Sequence, residues 1–335
     1  MFRNPRLLLL AFALAAGAVL VVLLASTIGR SPARPALANP NGYDDFIKAG
    51  EAVLGDVSDW PVLDHDSLRD LVSTNAEPLR LLRLGLTRQC VMPMDSALTN
   101  AAGMMNQLAR MKRLVHLLAA EGRLREMENR PADAALSYVE VLRFGNEMSR
   151  GGFLITRLVG IACEGIGYAP LAKLAPKLKP DDARAVLTAL DKLDAGRVTW
   201  AEVRQSERRF MRYQIRKHLN PILWVMGWWQ SRQAVQRAET KHKVVVARER
   251  LLAVELALRC HQFEQGHPPA RLDELTTNYL PHVPQDPFSG QPLIYRAQGT
   301  NWLLYSVGPD GVDDGGKPLG RGLAGKGDLF IDSPW

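Results

Sequence analysis

Residues 305–332 read YSVGPDGVDDGGKPLGRGLAGKGDLFID, and this stretch sets the architecture expected of the chain's C-terminal part. Eight glycines lie from Gly308 to Gly327, and four carboxylates, Asp310, Asp313, Asp314 and Asp328, share the loop. Closely spaced carboxylates repel unless solvent or a cation neutralises them. Glycines let the backbone turn so that carbonyl oxygens join the carboxylates around a hard ion, and Ca²⁺ accepts about six to eight such oxygens. Two readings follow: a calcium loop, or a polar tail that binds nothing, with Lys317, Arg321 and Lys326 offsetting its charge. An EF-hand is excluded. Counting from Asp310, Val312 stands where the loop needs Asp or Asn, and Arg321 stands where it needs Glu.

Working outward, residues 286–308 (DPFSGQPLIYRAQGTNWLLYSVG) read as a turn followed by two short strands. Before them comes an apolar helix, with Leu252, Leu256 and Cys260 on one face, ending in QGHPP at residues 265–269. Leu272 and Leu275 follow as an L-x-x-L pair. From about residue 244 to 328, this order of parts resembles the C-terminal half of the major pseudopilin of type II secretion systems. That family carries a Gly followed shortly by a Pro, then a D-P-W-G-x-P-Y-x-Y turn and strand, then G-x-D-G and a downstream D-I. Here the corresponding residues are Gly266 and Pro268, the run from Asp286 to Tyr295, Gly308 to Gly311, and Asp328-Leu329. The resemblance implies bound Ca²⁺, with Asp310 and Asp328 as ligands and Asp313 or Asp314 as a third. The loop is longer here than in the family. The chain also lacks the family's Gly-Phe-x-x-x-Glu leader, so polymerisation through a processed N-terminal helix is not implied.

The N-terminal part supplies an address. Residues 7–28 are 22 positions without a charge, enough to cross a bilayer at about 1.5 Å per residue. Arg3 and Arg6 precede them, which orients the remainder outward. A cleavable signal peptide is the rival reading, because Ala36-Leu37-Ala38 is an A-x-A sequence. The long apolar run and the distance of that sequence from its end favour a retained anchor. Residues 31–42 (SPARPALANPNG) read as an extended linker.

From about residue 43 to 243 the periodicity is helical. Asp66 or Ser67 is a candidate cap for a helix carrying Leu68, Leu71 and Val72, and Pro78 a candidate opening for the next, with Leu79, Leu82 and Leu86. Residues 104–127 align Leu108, Met111, Leu114, Val115 and Leu118. A break at Asn129-Arg130-Pro131 leads to a helix with Ala134, Ala135, Tyr138, Val141 and Leu142. This pair resembles one tetratricopeptide-type hairpin, although no second copy follows. It suits either a concave surface for a peptide or partner, or an irregular helical bundle. Residues 154–174 are apolar on most sides, with Gly160, Gly165 and Gly167 permitting close helix contact. Arg157 and Glu164 interrupt them too much for a second span, so a buried central helix is expected. Pro180 with Asp181 and Asp182 opens an amphipathic helix through Leu193.

Residues 197–250 hold thirteen Lys or Arg against four Glu, a net of +9 beside +7 for the whole chain. Within them, residues 219–229 carry three tryptophans and no charge. A basic surface around such a patch suits an anionic membrane interface; packing on the helical domain is the plain alternative, and nucleic acid a weak third. The three cysteines, Cys90, Cys163 and Cys260, are spaced too widely for a metal cluster. In an exported domain they suggest one disulfide and one buried thiol. Cys260-His261 with His267 reads as core packing before catalysis, and His65 sits near a helix cap. No catalytic fingerprint occurs.

The expected fold class is α+β: a mostly α-helical middle domain (43–243) and a small C-terminal pseudopilin-like module (244–335) of a helix and a short antiparallel sheet. An N-terminal transmembrane anchor (1–30) and a linker (31–42) precede them. The expected function is that of a membrane-anchored, extracytoplasmic (periplasmic) structural or interaction protein of the cell envelope. It would carry a Ca²⁺-stabilised loop and take an envelope protein as partner, in association with a type II secretion or pilus-like assembly. The reading from a different class is an envelope metal-dependent hydrolase using the acidic loop. That would need a histidine or an open coordination position there.

Overall fold

The computed structural model describes residues 37–93, 101–217, 221–320 and 325–333, with side chains omitted for 212–231. The expected anchor at residues 7–28, most of the linker, the side chains of the tryptophan-rich patch and loop residues 321–324 lie outside what is described. Among the described residues the helices are α1 (Gly42–Ala52), α2 (His65–Thr74), α3 (Ala76–Leu86), α4 (Ala101–Met127) and α5 (Pro131–Glu147). They continue with α6 (Leu154–Leu174), α7 (Pro180–Ala195), α8 (Trp200–Lys217) and α9 (Pro221–Gln265). Strands β1 (Ile294–Gln298) and β2 (Asn301–Tyr305) follow as one antiparallel hairpin, pairing Ile294 with Tyr305 and Gln298 with Asn301. The fold is thus mostly helical with a small two-stranded sheet, consistent with α+β.

Local chemistry explains most boundaries. Asn41 caps α1, its side chain accepting from Tyr43 N at 3.2 Å while its amide donates to the Val91 carbonyl at 2.8 Å. The cap of α2 is Asp64, which accepts from Ser67 N at 2.8 Å; the expected Asp66 and Ser67 instead lie in the first turn. The candidate opening at Pro78 also moves, because α3 begins at Ala76. Between α4 and α5 the chain reverses through Asn129, whose φ of 59° is left-handed, and Pro131 starts the next helix where its missing N–H costs nothing. The expected stripes are buried on both helices, and Gly122 of α4 leaves room for the Tyr138 ring of α5.

One apolar cluster joins α1, α3, α4 and α5 around Phe46, Met111, Leu114 and Phe144. A second joins α5, α6, α7 and α9 to the hairpin, through Tyr138, Leu171, Leu187, Leu256, Leu275 and Leu304. The boundary expected at 243/244 therefore falls inside α9, and the core runs across it. All of residues Leu37–Trp335 belong to one compact unit. A single helix that gives its C-terminal turns to the hairpin and packs on α6 and α7 cannot divide two independent cores.

Helix α6 with the short 3₁₀ turn after it (Leu154–Lys177) is long and apolar enough to cross a membrane by composition alone. It packs instead against α4, α5, α8 and α9. It approaches α5 closely at Gly160, where an added Cβ would stand 2.4 Å from the Gly145 carbonyl oxygen. The charges that interrupt this helix meet each other. Arg157 donates to Glu164 at 2.6 Å and 3.2 Å, and both side chains are 1% exposed. Seven residues apart, they occupy the same helical face. Arg157 Nε also donates to His242 Nδ1 of α9 at 3.1 Å. Arg197 lies 3.6 Å from Glu164 and against Glu249 of α9.

All three cysteines are free and buried. The expected disulfide is absent: Cys90, after α3, and Cys163, within α6, are free thiols of one apolar cluster, and Cys260, on α9, is a free thiol of the other.

Candidate functional site

The C-terminal loop is built from its carboxylates and its backbone amides. In the 286–291 turn, Asp286 Oδ1 accepts from Phe288 N at 2.9 Å, while Oδ2 reaches across to Val307 N at 2.8 Å. Asp286 is 1% exposed. Asp328, at 0% exposure, repeats the device: Oδ1 accepts from Asp314 N at 3.3 Å and Oδ2 from Gly316 N at 2.7 Å. Burial raises the Asp328 pKa, the two amides lower it, and the like charges of Asp313 and Asp314 raise it further, the net direction being upward.

Backbone bridges close the loop onto the hairpin. Ser306 and Leu329 exchange N–H···O bonds of 3.0 and 2.8 Å, Asp328 N donates to the Lys317 carbonyl at 2.7 Å, and Leu319 N donates to the Asp328 carbonyl at 2.9 Å. At the crossing, Gly308 has φ 72°, and a Cβ there would lie 2.6 Å from the Gly327 carbonyl oxygen. Only glycine fits both demands. Leu319 and Leu329 then pack on Val244 and Ala247 of α9. The Tyr168 hydroxyl of α6 donates to the Ile331 carbonyl at 3.0 Å, and Arg248 donates to the Ser333 carbonyl at 2.5 Å. The loop is thus fastened to the helical core along its return limb.

The four expected ligands occupy different settings. Asp328 is buried and engaged by amides. Asp313, exposed, accepts from the Tyr305 hydroxyl at 2.8 Å and from Gly315 N at 2.9 Å, with Arg296 at 3.4 Å. The Gly315 amide, followed by the Tyr305 hydroxyl, holds its pKa below the usual carboxylate range. Asp310 accepts from Val312 N at 3.2 Å, and Asp314 is exposed; neither forms an ion pair among the described residues. No group of three His, Cys, Asp or Glu side chains converges as a metal site would require among the described residues. Both oxygens of Asp328, the buried one of these four, face N–H donors, which is the geometry of a backbone clasp.

The thiols are not activated. Burial pushes Cys163 up to about 12 and Cys260 up to about 11, and Cys260 Sγ faces the Pro180 carbonyl at 3.6 Å. His261 turns its Nδ1 to the His267 carbonyl at 3.1 Å. His65 stands at the first position of α2, 3.1 Å from Asp66. Sequence reasoning missed Asp286 as a second buried carboxylate that holds two backbone amides. It also read Arg157 and Glu164 only as interruptions of an apolar helix. Opposite charges seven residues apart in such a helix were the available signal.

No known family, characterised protein or solved structure matches this chain.

Proposed function

We propose that the chain is a structural or interaction protein of the cell envelope, held at the membrane by residues 7–28 with the body from residue 37 onward outside the cytoplasm. The observation that carries this reading is the use to which the loop puts its polar groups. Asp286 and Asp328, the buried carboxylates after α9 among the described residues, each hold two backbone amides, so the chemistry of the loop goes into its own shape. A rigid cap on a helical body suits a partner surface. The likeness of residues 244–328 to a secretion pseudopilin supports a place beside a secretion or pilus-like assembly. Because the three native thiols are buried, a single added cysteine reports topology. Ser289→Cys, at the exposed tip of the 286–290 turn, should react with a membrane-impermeant maleimide in spheroplasts without lysis. Labelling only after lysis would overturn the outward orientation.

A second reading adds Ca²⁺ to the outer side of the same loop. It is favoured by the exposed Asp310 and Asp314, which lack ion pairs among the described residues, and by the family likeness. If an ion is held there, a chelator should make the segment after residue 305 protease-sensitive, and added calcium should restore protection. Protection indifferent to both would remove calcium and leave the amide clasp. The hydrolase reading requires turnover that Asp310→Asn and Asp328→Asn abolish in a folded protein.

A further inference from the structure

Helices α8 and α9 are joined by residues 218–220 alone, and they lie side by side where the rings of Trp200 and His242 stand 5.7 Å apart. They therefore form an antiparallel hairpin. From that point to the turn, α8 runs 17 residues further (Trp200 to Lys217) and α9 runs 21 (His242 back to Pro221). These are helical limbs of about 26 and 32 Å. Among the described side chains, the body grips the base of the hairpin. Ser206 Oγ donates to the Gly151 carbonyl at 3.4 Å, Glu207 accepts from Leu154 N at 2.8 Å, and Phe210 stacks on Phe153 with ring centroids 4.5 Å apart. On α9, Ala238 is buried, whereas Arg232, Gln233, Ala234, Gln236 and Arg237 ahead of it are exposed.

The hairpin gathers charges that the sequence spreads out. Residues 208–238 carry seven Lys or Arg and no Asp or Glu: five on the α8 limb, from Arg208 to Lys217, and Arg232 and Arg237 on the α9 limb. Two basic limbs thus stand beside each other, and the uncharged run 219–229, with Trp224, Trp228 and Trp229, falls at their far end. An apolar turn ahead of paired cationic limbs matches an anionic bilayer surface, because tryptophan favours the headgroup layer and Lys and Arg favour the lipid phosphates. As a helix, eleven residues cover about 16 Å, short of the ~30 Å hydrocarbon core, so the run can enter a bilayer and cannot cross it. Nucleic acid would account for the cations and the aromatic rings. It would not account for Ile222, Leu223, Val225 and Met226, aliphatic residues that a phosphate backbone gives no reason to bury. We propose that the α8–α9 hairpin docks on an anionic lipid bilayer, with residues 219–229 entering the headgroup layer and the cations of both limbs against the lipid phosphates. Such docking is independent of the tether at residues 7–28.

The test puts an environment-sensitive NBD label on Met226→Cys in the full chain, where the native thiols are buried, and reads it in nanodiscs with and without acyl-chain doxyl lipid. In phosphatidylglycerol discs the emission should shift to the blue and be quenched by the doxyl lipid. In phosphatidylcholine discs both changes should be lost, and high salt should weaken them in phosphatidylglycerol. Arg212→Glu, Arg216→Glu and Lys217→Glu together should abolish both changes without moving the thermal melt, since all three lie beyond Phe210. If that variant does not fold, the comparison of lipids on the labelled chain still decides. Equal quenching in the two lipids, or none in either, would overturn the proposal; a blue shift that the doxyl lipid never quenches would place the run on the helical body instead. A response to an oligonucleotide in phosphatidylcholine discs, with none to phosphatidylglycerol, would also overturn it and make the hairpin a nucleic-acid site. Co-elution with phosphatidylcholine discs reports the tether separately. If co-elution fails, the tether reading falls, and the same label with added vesicles of each lipid decides the hairpin on its own.

Discussion

Glu164 and Asp328 are both buried carboxylates, and they are held in opposite ways. Glu164 sits between helices and is neutralised by side chains, Arg157 at 2.6 Å and Arg197 at 3.6 Å, with no help from backbone amides. Asp328 sits in a glycine-rich loop and is held by the amides of Asp314 and Gly316. Helices satisfy their own amides, so a charge buried among them must find a side chain. A loop leaves amides over, and a buried carboxylate can collect them. Charge pairing thus holds the core, and backbone solvation by a carboxylate holds the cap.

The largest effect should come from breaking the paired core. Glu164→Gln leaves Arg157 and Arg197 buried beside each other, and removing one partner of such a pair costs about 3–5 kcal/mol. Urea unfolding should show a lower midpoint with an unchanged slope. A loss under about 1 kcal/mol would mean that water reaches the network, and the contrast with Asp328 would dissolve.

His242 sharpens the same contrast through pH. Burial, followed by the charges of Arg157, Arg197 and Lys243, pushes its pKa from 6.5 down to about 2. Its Nδ1 accepts from Arg157, so protonation would remove an acceptor and add a further cation, with Glu164 and Glu249 as the anions that pair with Arg197. The stability at stake is complete above the unfolded pKa of about 6.5. It falls as pH drops below that value, by about 1.4 kcal/mol per pH unit for one proton. At pH 5 the loss is about 2 kcal/mol. His242→Gln keeps an acceptor and cannot protonate, so it should flatten this limb. An unchanged limb would place the acid sensitivity elsewhere.

Much of this architecture was legible in the residues. Pro131, Pro180 and the apolar stripes of α4, α5 and α7 fix helices locally, because 3.6-residue periodicity and proline geometry act over a few positions. The turn from Asp286 and the two strands were readable for the same reason. The partition at residue 243 was not, because nothing in the local pattern of α9 states that its last turns pack on both α7 and the hairpin. The buried network was half legible: the spacing of Arg157 and Glu164 was available, but Arg197, His242 and Glu249 reach it only through tertiary packing. The acidity of the loop was plain in sequence. What was not plain is that Asp328 turns inward to amides while Asp310 and Asp314 turn outward, a division set by the crossing at Gly308 and by Leu329 on α9.

In the cap, Asp328→Asn should be milder than the core substitution. The amide side chain keeps one acceptor and presents N–H donors to the other backbone amide, losing one charge-assisted hydrogen bond of about 1.5–3 kcal/mol. The damage should be local. Hydrogen exchange should accelerate at the amides of Asp314 and Gly316 and little in α4 or α5. A uniform loss of protection would show that the cap and the helical body unfold as one.

The smallest expected effect separates the two faces of the loop. Tyr305 is fully buried on β2, and its hydroxyl reaches outward to the exposed Asp313 at 2.8 Å. Burial, then this bond, pushes the hydroxyl up to about 12. Tyr305→Phe removes the donor and leaves a carboxylate that water can solvate. The loss should therefore fall at the low end of the roughly 0.5–1.5 kcal/mol typical of one hydrogen bond. The Asp313 pKa should then rise toward its ordinary value, since the Gly315 amide and Arg296 remain as its only stabilising neighbours among the described residues. A carboxyl titration by NMR checks that shift. If the Asp313 pKa stays fully depressed after Tyr305→Phe, the Gly315 amide and Arg296 hold this outer carboxylate without the hydroxyl.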